Sequence, residues 1–343
     1  MKLFTSIDLF AGIGGIRLAF EGEGFKTVFS NEIDKFACET YKTNFGIDPC
    51  GDIRSLKTAE IPEHDVLLGG FPCQAFSIAG AKMGFEDTRG TLFFEIARII
   101  KDKRPKAFLL ENVKNLVSHD KGRTFAVIKN TLESDLHYRL FYKVLNAKNF
   151  GVPQNRERII MVGFRDDLDI HQFTFPENSG RKKTLSDVLE HNVPLRYFIS
   201  KVRLKGMEKH KKKHEELGHG FGYRVLNPNS VSGAIVVGGM GRERNLVPDM
   251  ESYEKLRGTE GFEKKNDQGI RYLTPREYAR LQGFPDDFQI PVSNAQAYKQ
   301  FANSVAVPMI RSVAVEIEKI LSDPKKYSRK GQHPIYEYAT SQQ

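Results

Sequence analysis

Thr5-Ser6-Ile7-Asp8-Leu9-Phe10-Ala11-Gly12-Ile13-Gly14-Gly15-Ile16 decides the fold class. Thr5 to Phe10 is an apolar run of strand length, and the glycines after it mark a turn. A helix follows from about Ile16 to Glu23. Lys26 to Asn31 reads as a second strand, with a helix around Lys35 to Asn44. Further strands are predicted at Asp65 to Gly69, Lys106 to Leu110 and Arg158 to Phe164. Further helices are predicted at Thr91 to Lys101 and Phe125 to Asp135. Strands alternating with helices predict an α/β fold whose mostly parallel sheet is covered on both faces. Ligands bind such sheets at the carboxyl ends of the strands.

The glycine turn sits where a strand hands over to a helix. Glycine lets the backbone approach a ligand closely, and the helix start adds unpaired N–H groups. Gly12-Ile13-Gly14-Gly15 departs from the G-x-G-x-x-G spacing of a dinucleotide site. Glu32, just past the second strand, can accept hydrogen bonds from both hydroxyls of a ribose. Asp52, after Gly51, can accept one from an adenine amino group. The pattern suits an adenosine-bearing cofactor without dinucleotide phosphates. S-adenosylmethionine fits it better than a nicotinamide dinucleotide.

The rest of the 343 residues sets limits. Hydrophobic residues are 40% and charged residues 28%, the balance of a water-soluble globular protein. No apolar run approaches the roughly 20 residues of a membrane-spanning helix. Asp8 interrupts the N-terminus before a signal peptide could form, so a cytoplasmic protein without membrane contact is expected. The three cysteines, Cys38, Cys50 and Cys73, are too sparse for a disulfide framework or a zinc site. A net charge of +9 points to a polyanionic partner. Beyond Pro176 the regular alternation stops. Lysines cluster from Lys205 to Lys213, and Gly-rich stretches carry Arg224, Arg242 and Arg244. A helical pattern returns from Asn294 to Leu321.

Cys73 follows a predicted strand end in Gly69-Gly70-Phe71-Pro72-Cys73-Gln74, where a thiol can face a cleft. With five further segments, this one resembles the DNA cytosine-5 methyltransferase family of bacterial restriction-modification type. The six segments are Asp8 to Gly15, Gly70 to Ser77, Glu111-Asn112-Val113, Gly151 to Arg158, Arg271 to Phe288, and Gln300 to Val305. They span nearly the whole chain in the family's usual order. The resemblance implies the S-adenosylmethionine-dependent methyltransferase fold, which is Rossmann-like, with a second, smaller target-recognition domain. Residues 1–175, completed by 292–322, would form the catalytic and cofactor-binding domain. Residues 176–291 would form the target-recognition domain with its hinge, and 323–343 a polar tail.

The implied chemistry explains the residue types. Carbon 5 of cytosine is a poor nucleophile until a thiolate adds to carbon 6, the role that falls on Cys73. Glu111 would protonate or hydrogen-bond N3. Arg156 and Arg158, two apart on an extended segment, would hold the ring oxygen and a phosphate. Phe10, Gly12, Ile13, Gly14, Glu32, Asp52, Ile53, Leu92, Asn303 and Val305 would bind S-adenosylmethionine, leaving S-adenosylhomocysteine as product. No metal is expected. The family usually has glycine where this chain has Ala302.

The target base must leave the duplex to be attacked. The loop after Cys73, with Ser77, Lys82 and Arg89, would close over it. Asn112 and Gln154 are expected beside the substrate, and Arg224, Arg242 and Arg244 on the DNA. The partner is therefore double-stranded DNA, bound by a monomer, with a cognate restriction endonuclease acting separately. Two other readings are a tRNA cytosine-5 methyltransferase of the same fold and an inactive DNA-binding regulator. Intact cysteine and glutamate motifs disfavour the second.

Overall fold

A computed structural model describes residues 3–72, 92–178, 182–219, 222–237 and 241–328. In chain order its strands are β1 (Thr5–Leu9), β2 (Lys26–Asn31), β3 (Val66–Gly70), β4 (Ala107–Val113), β5 (Tyr138–Asn146), β6 (Gln154–Asn155), β7 (Glu157–Arg165), β8 (Ser232–Gly233), β9 (Leu246–Pro248) and β10 (Ile270–Tyr272). The helices are α1 (Gly15–Glu21), α2 (Lys35–Phe45), α3 (Leu92–Lys103), α4 (Arg123–Asn130), α5 (Lys201–Glu216), α6 (Met250–Lys255), α7 (Pro275–Leu281), α8 (Asn294–Asn303) and α9 (Val307–Ser322). None is long and apolar enough to cross a membrane.

Six strands form one sheet in the order β2-β1-β3-β4-β7-β5. The first four are parallel neighbours, and β7 runs antiparallel to both β4 and β5. This is the mostly parallel, helix-covered sheet of the S-adenosylmethionine-dependent methyltransferase fold. Period-two alternation explains the two cores. Val66, Leu68 and Leu109 point into one, while Leu67, Phe108 and Leu110 point into the other. Strands buried on both faces read as continuous apolar runs, as β3 and β4 do.

Two features differ from the sequence reading. β5 was not predicted: it is the edge strand, and Arg139, Tyr142, Lys143 and Val144 on it are exposed. The stretch expected as one helix from Phe125 to Asp135 ends its α-helical part at Asn130. It continues as a wider turn in which Leu136 N donates to Thr131 O at 3.0 Å.

The region after residue 176 has a small core of its own, around Ile199, Leu204, Met207, Leu246 and Ile270. Other parts of it, including Leu226, Ile235, Tyr278 and Phe284, pack with the larger core beside the sheet. The segment from Arg271 to Phe288, expected as an organising helix, supplies β10 and α7. Thr274 and Glu277 form a reciprocal cap at the start of α7. Arg271 is fully buried and bound to Asp249 at 2.7 Å and to Glu277 at 2.7 and 2.8 Å.

Asp8 on β1 is fully buried, and neither carboxylate oxygen makes a hydrogen bond of ordinary geometry among the described residues. Burial raises its pKa well above the carboxylate range, against the pull of Arg17. A folded carboxyl that keeps its proton where the unfolded one has lost it costs stability as pH rises through that gap. Stability is full below the unfolded pKa and stays reduced above the folded one. Asp8→Asn is expected to remove this slope. The variant should therefore be more stable than the wild type at neutral pH. Urea unfolding of both proteins from pH 4 upward measures it, and equal slopes would mean that Asp8 ionises without cost.

Candidate active site

A cleft of about 660 Å³ opens at the carboxyl ends of β1 to β4. Phe10, Gly12, Ile13, Glu32, Asp52, Ile53, Leu92, Asn303 and Val305 all line it. Glu32 is held by backbone donors. Gly12 N donates to its Oε2 at 2.8 Å, and Ile33 N and Asp34 N donate to its Oε1 at 2.9 and 2.8 Å. The β1–α1 turn and the end of β2 thus aim one carboxylate into the cleft. Gly12 has φ +55° and nothing within 4 Å of where a Cβ would stand, so its backbone faces open space.

Gly14 has a different task from the one expected. It lies off the cleft wall, and a Cβ there would sit 2.2 Å from Phe45 Cε2. Its φ of +83° and its bond from N to Ala11 O at 2.8 Å shape the turn that presents Gly12. Asp52 lines the cleft but is gripped by Arg54, whose Nε and Nη2 lie 2.6–3.1 Å from its oxygens. Those hydrogen bonds hold the Asp52 carboxyl below its ordinary range, so it is anionic at neutral pH. Sequence reasoning missed Arg54, two residues on, and Gly15, which lines the cleft beside Ser304.

The other half of the cleft owes its form to the reversed strand. Because β7 is antiparallel to β4, its first residues stand beside the last of β4, with Val113 opposite Arg158. Arg158 Nε comes within 2.9 Å of Glu111 Oε1. Glu111 is only 9% exposed, and burial raises its pKa against the opposing charges of Arg158 and Arg156. Phe71 and Pro72 bring the chain to the cleft immediately before Cys73. Cys73 itself, with Ser77, Lys82 and Arg89, lies outside the described residues.

Three residues expected at the substrate are buried and held by backbone carbonyls, and two of them, Arg156 and Asn112, also line the cleft. Arg156 is 2% exposed, and its guanidinium donates to Ile235 O at 3.0 Å, Ala302 O at 2.9 Å and Ser304 O at 2.7 Å. Its pKa is pulled down to about 9 by burial, with Arg158 adding to the effect; it remains a cation at neutral pH. Asn112 is also 2% exposed and donates to Phe71 O at 2.8 Å, fixing the backbone ahead of Pro72. Gln154 is fully buried and donates to Leu281 O at 2.8 Å. Arg156 and Arg158, two residues apart, both line the cleft; the break between β6 and β7 falls at Arg156, whose guanidinium also reaches the carbonyls of Ile235, Ala302 and Ser304.

Arg224, Arg242 and Arg244 are exposed and lie off the cleft wall. They share one platform, since Arg224 N donates to Glu243 O and Leu246 N to Arg224 O. Arg242 stacks over the rings of Tyr298 and Tyr272, at 5.0 and 5.4 Å from their centroids.

The model of the C-5 cytosine-specific DNA methylase family matches residues 4–319. Type II methyltransferase M.HpaII of Haemophilus parainfluenzae is 54% identical over 318 residues, covering 92% of this chain and 89% of that protein. Type II methyltransferase M.SsoII of Shigella sonnei is 50% identical over 322 residues, 93% of this chain and 80% of that one. Among solved structures, the Entamoeba histolytica methyltransferase EhMeth aligns with a TM-score of 0.71 at 18% identity. That alignment covers 94% of this chain and 99% of EhMeth, a likeness of fold.

Proposed function

The chain belongs to the C-5 cytosine-specific DNA methylase family, and on that premise we propose that it methylates carbon 5 of a cytosine within a specific sequence of duplex DNA, taking the methyl group from S-adenosylmethionine. The observation that carries the reading is the buried Glu111–Arg158 pair at the cleft edge, beside the backbone that leads into Cys73.

The cofactor half of the cleft fits S-adenosylmethionine. Gly12 leaves room for a ligand against its backbone, Glu32 offers a preset carboxylate, and Phe10, Ile53 and Val305 supply apolar walls. When bound, S-adenosylmethionine supplies a methyl group on cationic sulfur, open to displacement by a carbon nucleophile.

The chain's own residues make that nucleophile. The Cys73 thiolate adds to carbon 6 of a cytosine turned out of the duplex. The electron pair of the 5,6 double bond moves toward N3, where Glu111 delivers its proton, and carbon 5 becomes enamine-like. A carboxyl kept protonated by burial suits that task. Arg158 orients Glu111 and, as part of the cleft lining, is the group offered to the ring oxygen. After methylation, water takes the carbon 5 proton, the thiolate departs, and N3 returns its proton to the Glu111 carboxylate, which restores the ring and the acid. Arg156, Asn112 and Gln154 act as positioning residues. Residues 176–291, with Arg224, Arg242 and Arg244, read the DNA sequence. The likeness to Type II methyltransferases supports a cytoplasmic role in protecting DNA from a cognate restriction endonuclease.

Incubation with methyl-labelled S-adenosylmethionine and either mixed-sequence duplex DNA or, in parallel, tRNA should give labelled 5-methylcytosine in the DNA on nucleoside mass spectrometry. Label in tRNA alone, or in no nucleic acid, would overturn the assignment.

A further inference from the structure

Gln282 lies just beyond α7 and is fully buried. A buried primary amide has two N–H donors and a carbonyl to satisfy. Here the donors go to one stretch of chain and the carbonyl to another. Nε2 donates to Phe301 O at 2.8 Å and to Ser304 O at 3.2 Å. Oε1 accepts from Gln154 Nε2 at 3.2 Å. The Gln282 backbone carbonyl accepts from Val307 N at 2.8 Å. Gln282 therefore brackets the turn between α8 and α9, whose residues 302–305 wall the cofactor half of the cleft.

The other end of the link reaches the region assigned to DNA. Gln154 Oε1 accepts from Ile235 N at 3.1 Å, and Arg156 spans Ile235 O and Ser304 O. Ser232 is clipped to Pro153 O at 2.8 Å. A shift of 232–235 when DNA binds cannot occur without stretching bonds that also hold 301–305. The same constraint acts in the other direction.

We propose that Gln282 is a positioning residue that holds the 301–305 wall and, through Gln154, couples cofactor binding to binding of duplex DNA. The inference rests on the methyltransferase reading above. Glutamine is the residue type required. Glutamate would set an anion against two carbonyl oxygens, and methionine would keep the volume but offer no donor.

The test uses the full chain. Affinity for a duplex containing the methylated site is measured with and without saturating S-adenosylhomocysteine, in wild type and in Gln282→Met. In wild type the cofactor product should tighten DNA binding about fivefold or more, within the usual range of coupling between sites. In Q282M that ratio should fall at least twofold, the remainder being carried by the Arg156 bridge, and the Kd for S-adenosylhomocysteine should rise about tenfold. A merely structural role would lower the melting temperature and the active fraction but leave the ratio intact, and that result would overturn the proposal. If Q282M does not fold, Gln154→Met cuts the link from its other end and should lower the ratio at least twofold while cofactor affinity stays near wild type; an unchanged ratio in Q154M counts equally against it. Wild type that binds both ligands independently also refutes the coupling. Wild type that binds neither would instead fell the methyltransferase reading.

Discussion

Replacing Cys73 with serine is expected to abolish methyl transfer while leaving duplex DNA binding near wild type. The reaction needs a nucleophile at carbon 6, and a serine hydroxyl is almost wholly un-ionised at neutral pH, whereas a free thiol is a few per cent thiolate. Without the adduct, carbon 5 stays too electron-poor to attack a methyl group. A loss of about 10⁴-fold or more in kcat is expected, on the order of 5 kcal/mol or more in barrier height. Single-turnover transfer from labelled S-adenosylmethionine measures it. A duplex carrying 5-fluorocytosine at the target should trap wild type covalently and leave the serine variant free. Full activity in Cys73→Ser would end the mechanism.

Glu111→Gln is expected to lower kcat by about 10²- to 10³-fold, the range of a general acid held in place. The glutamine keeps the shape and can accept from Arg158, but it has no acidic proton for N3. The pH profile separates acid catalysis from mere shape. Burial raises the Glu111 pKa, so the protonated acid persists above the ordinary carboxylate range and is lost as pH rises through the raised value. Wild-type kcat/KM should carry that falling limb, and Glu111→Gln should lack it. A variant as active as wild type, or one with the same limb, would remove Glu111 from the proton path.

The central sheet and the cofactor half of the cleft were legible because each signal there is local. A strand, a glycine turn and a helix are adjacent in the chain, and Glu32 follows the next strand. β7 was legible as a strand but not in its direction, since hydrophobic period is the same whichever way a strand runs. That direction brings Arg158 to Glu111. β5 was missed because an edge strand with exposed Tyr142 and Lys143 lacks a clear two-residue alternation. Residue type left the backbone partners of Arg156, Asn112 and Gln154 open. An arginine or amide suits a phosphate, a base edge or a backbone carbonyl equally, and only the packed chain supplies the carbonyls of Ile235, Ala302, Ser304, Phe71 and Leu281. Gln282 left one faint trace, a polar residue between apolar Leu281 and Gly283-Phe284.

Gly15 and Ser304 meet across the cleft so closely that a Cβ on Gly15 would lie 2.6 Å from Ser304 Oγ. Gly15 leaves the ribosome long before Ser304. A nascent chain that has made the glycine turn, Glu32 and Glu111 still has a trough open on one side, because 302–305 do not yet exist. Ligand can stabilise only a state that it binds. A cofactor that needs this wall therefore stabilises the sheet only once 302–305 have been made and have folded back.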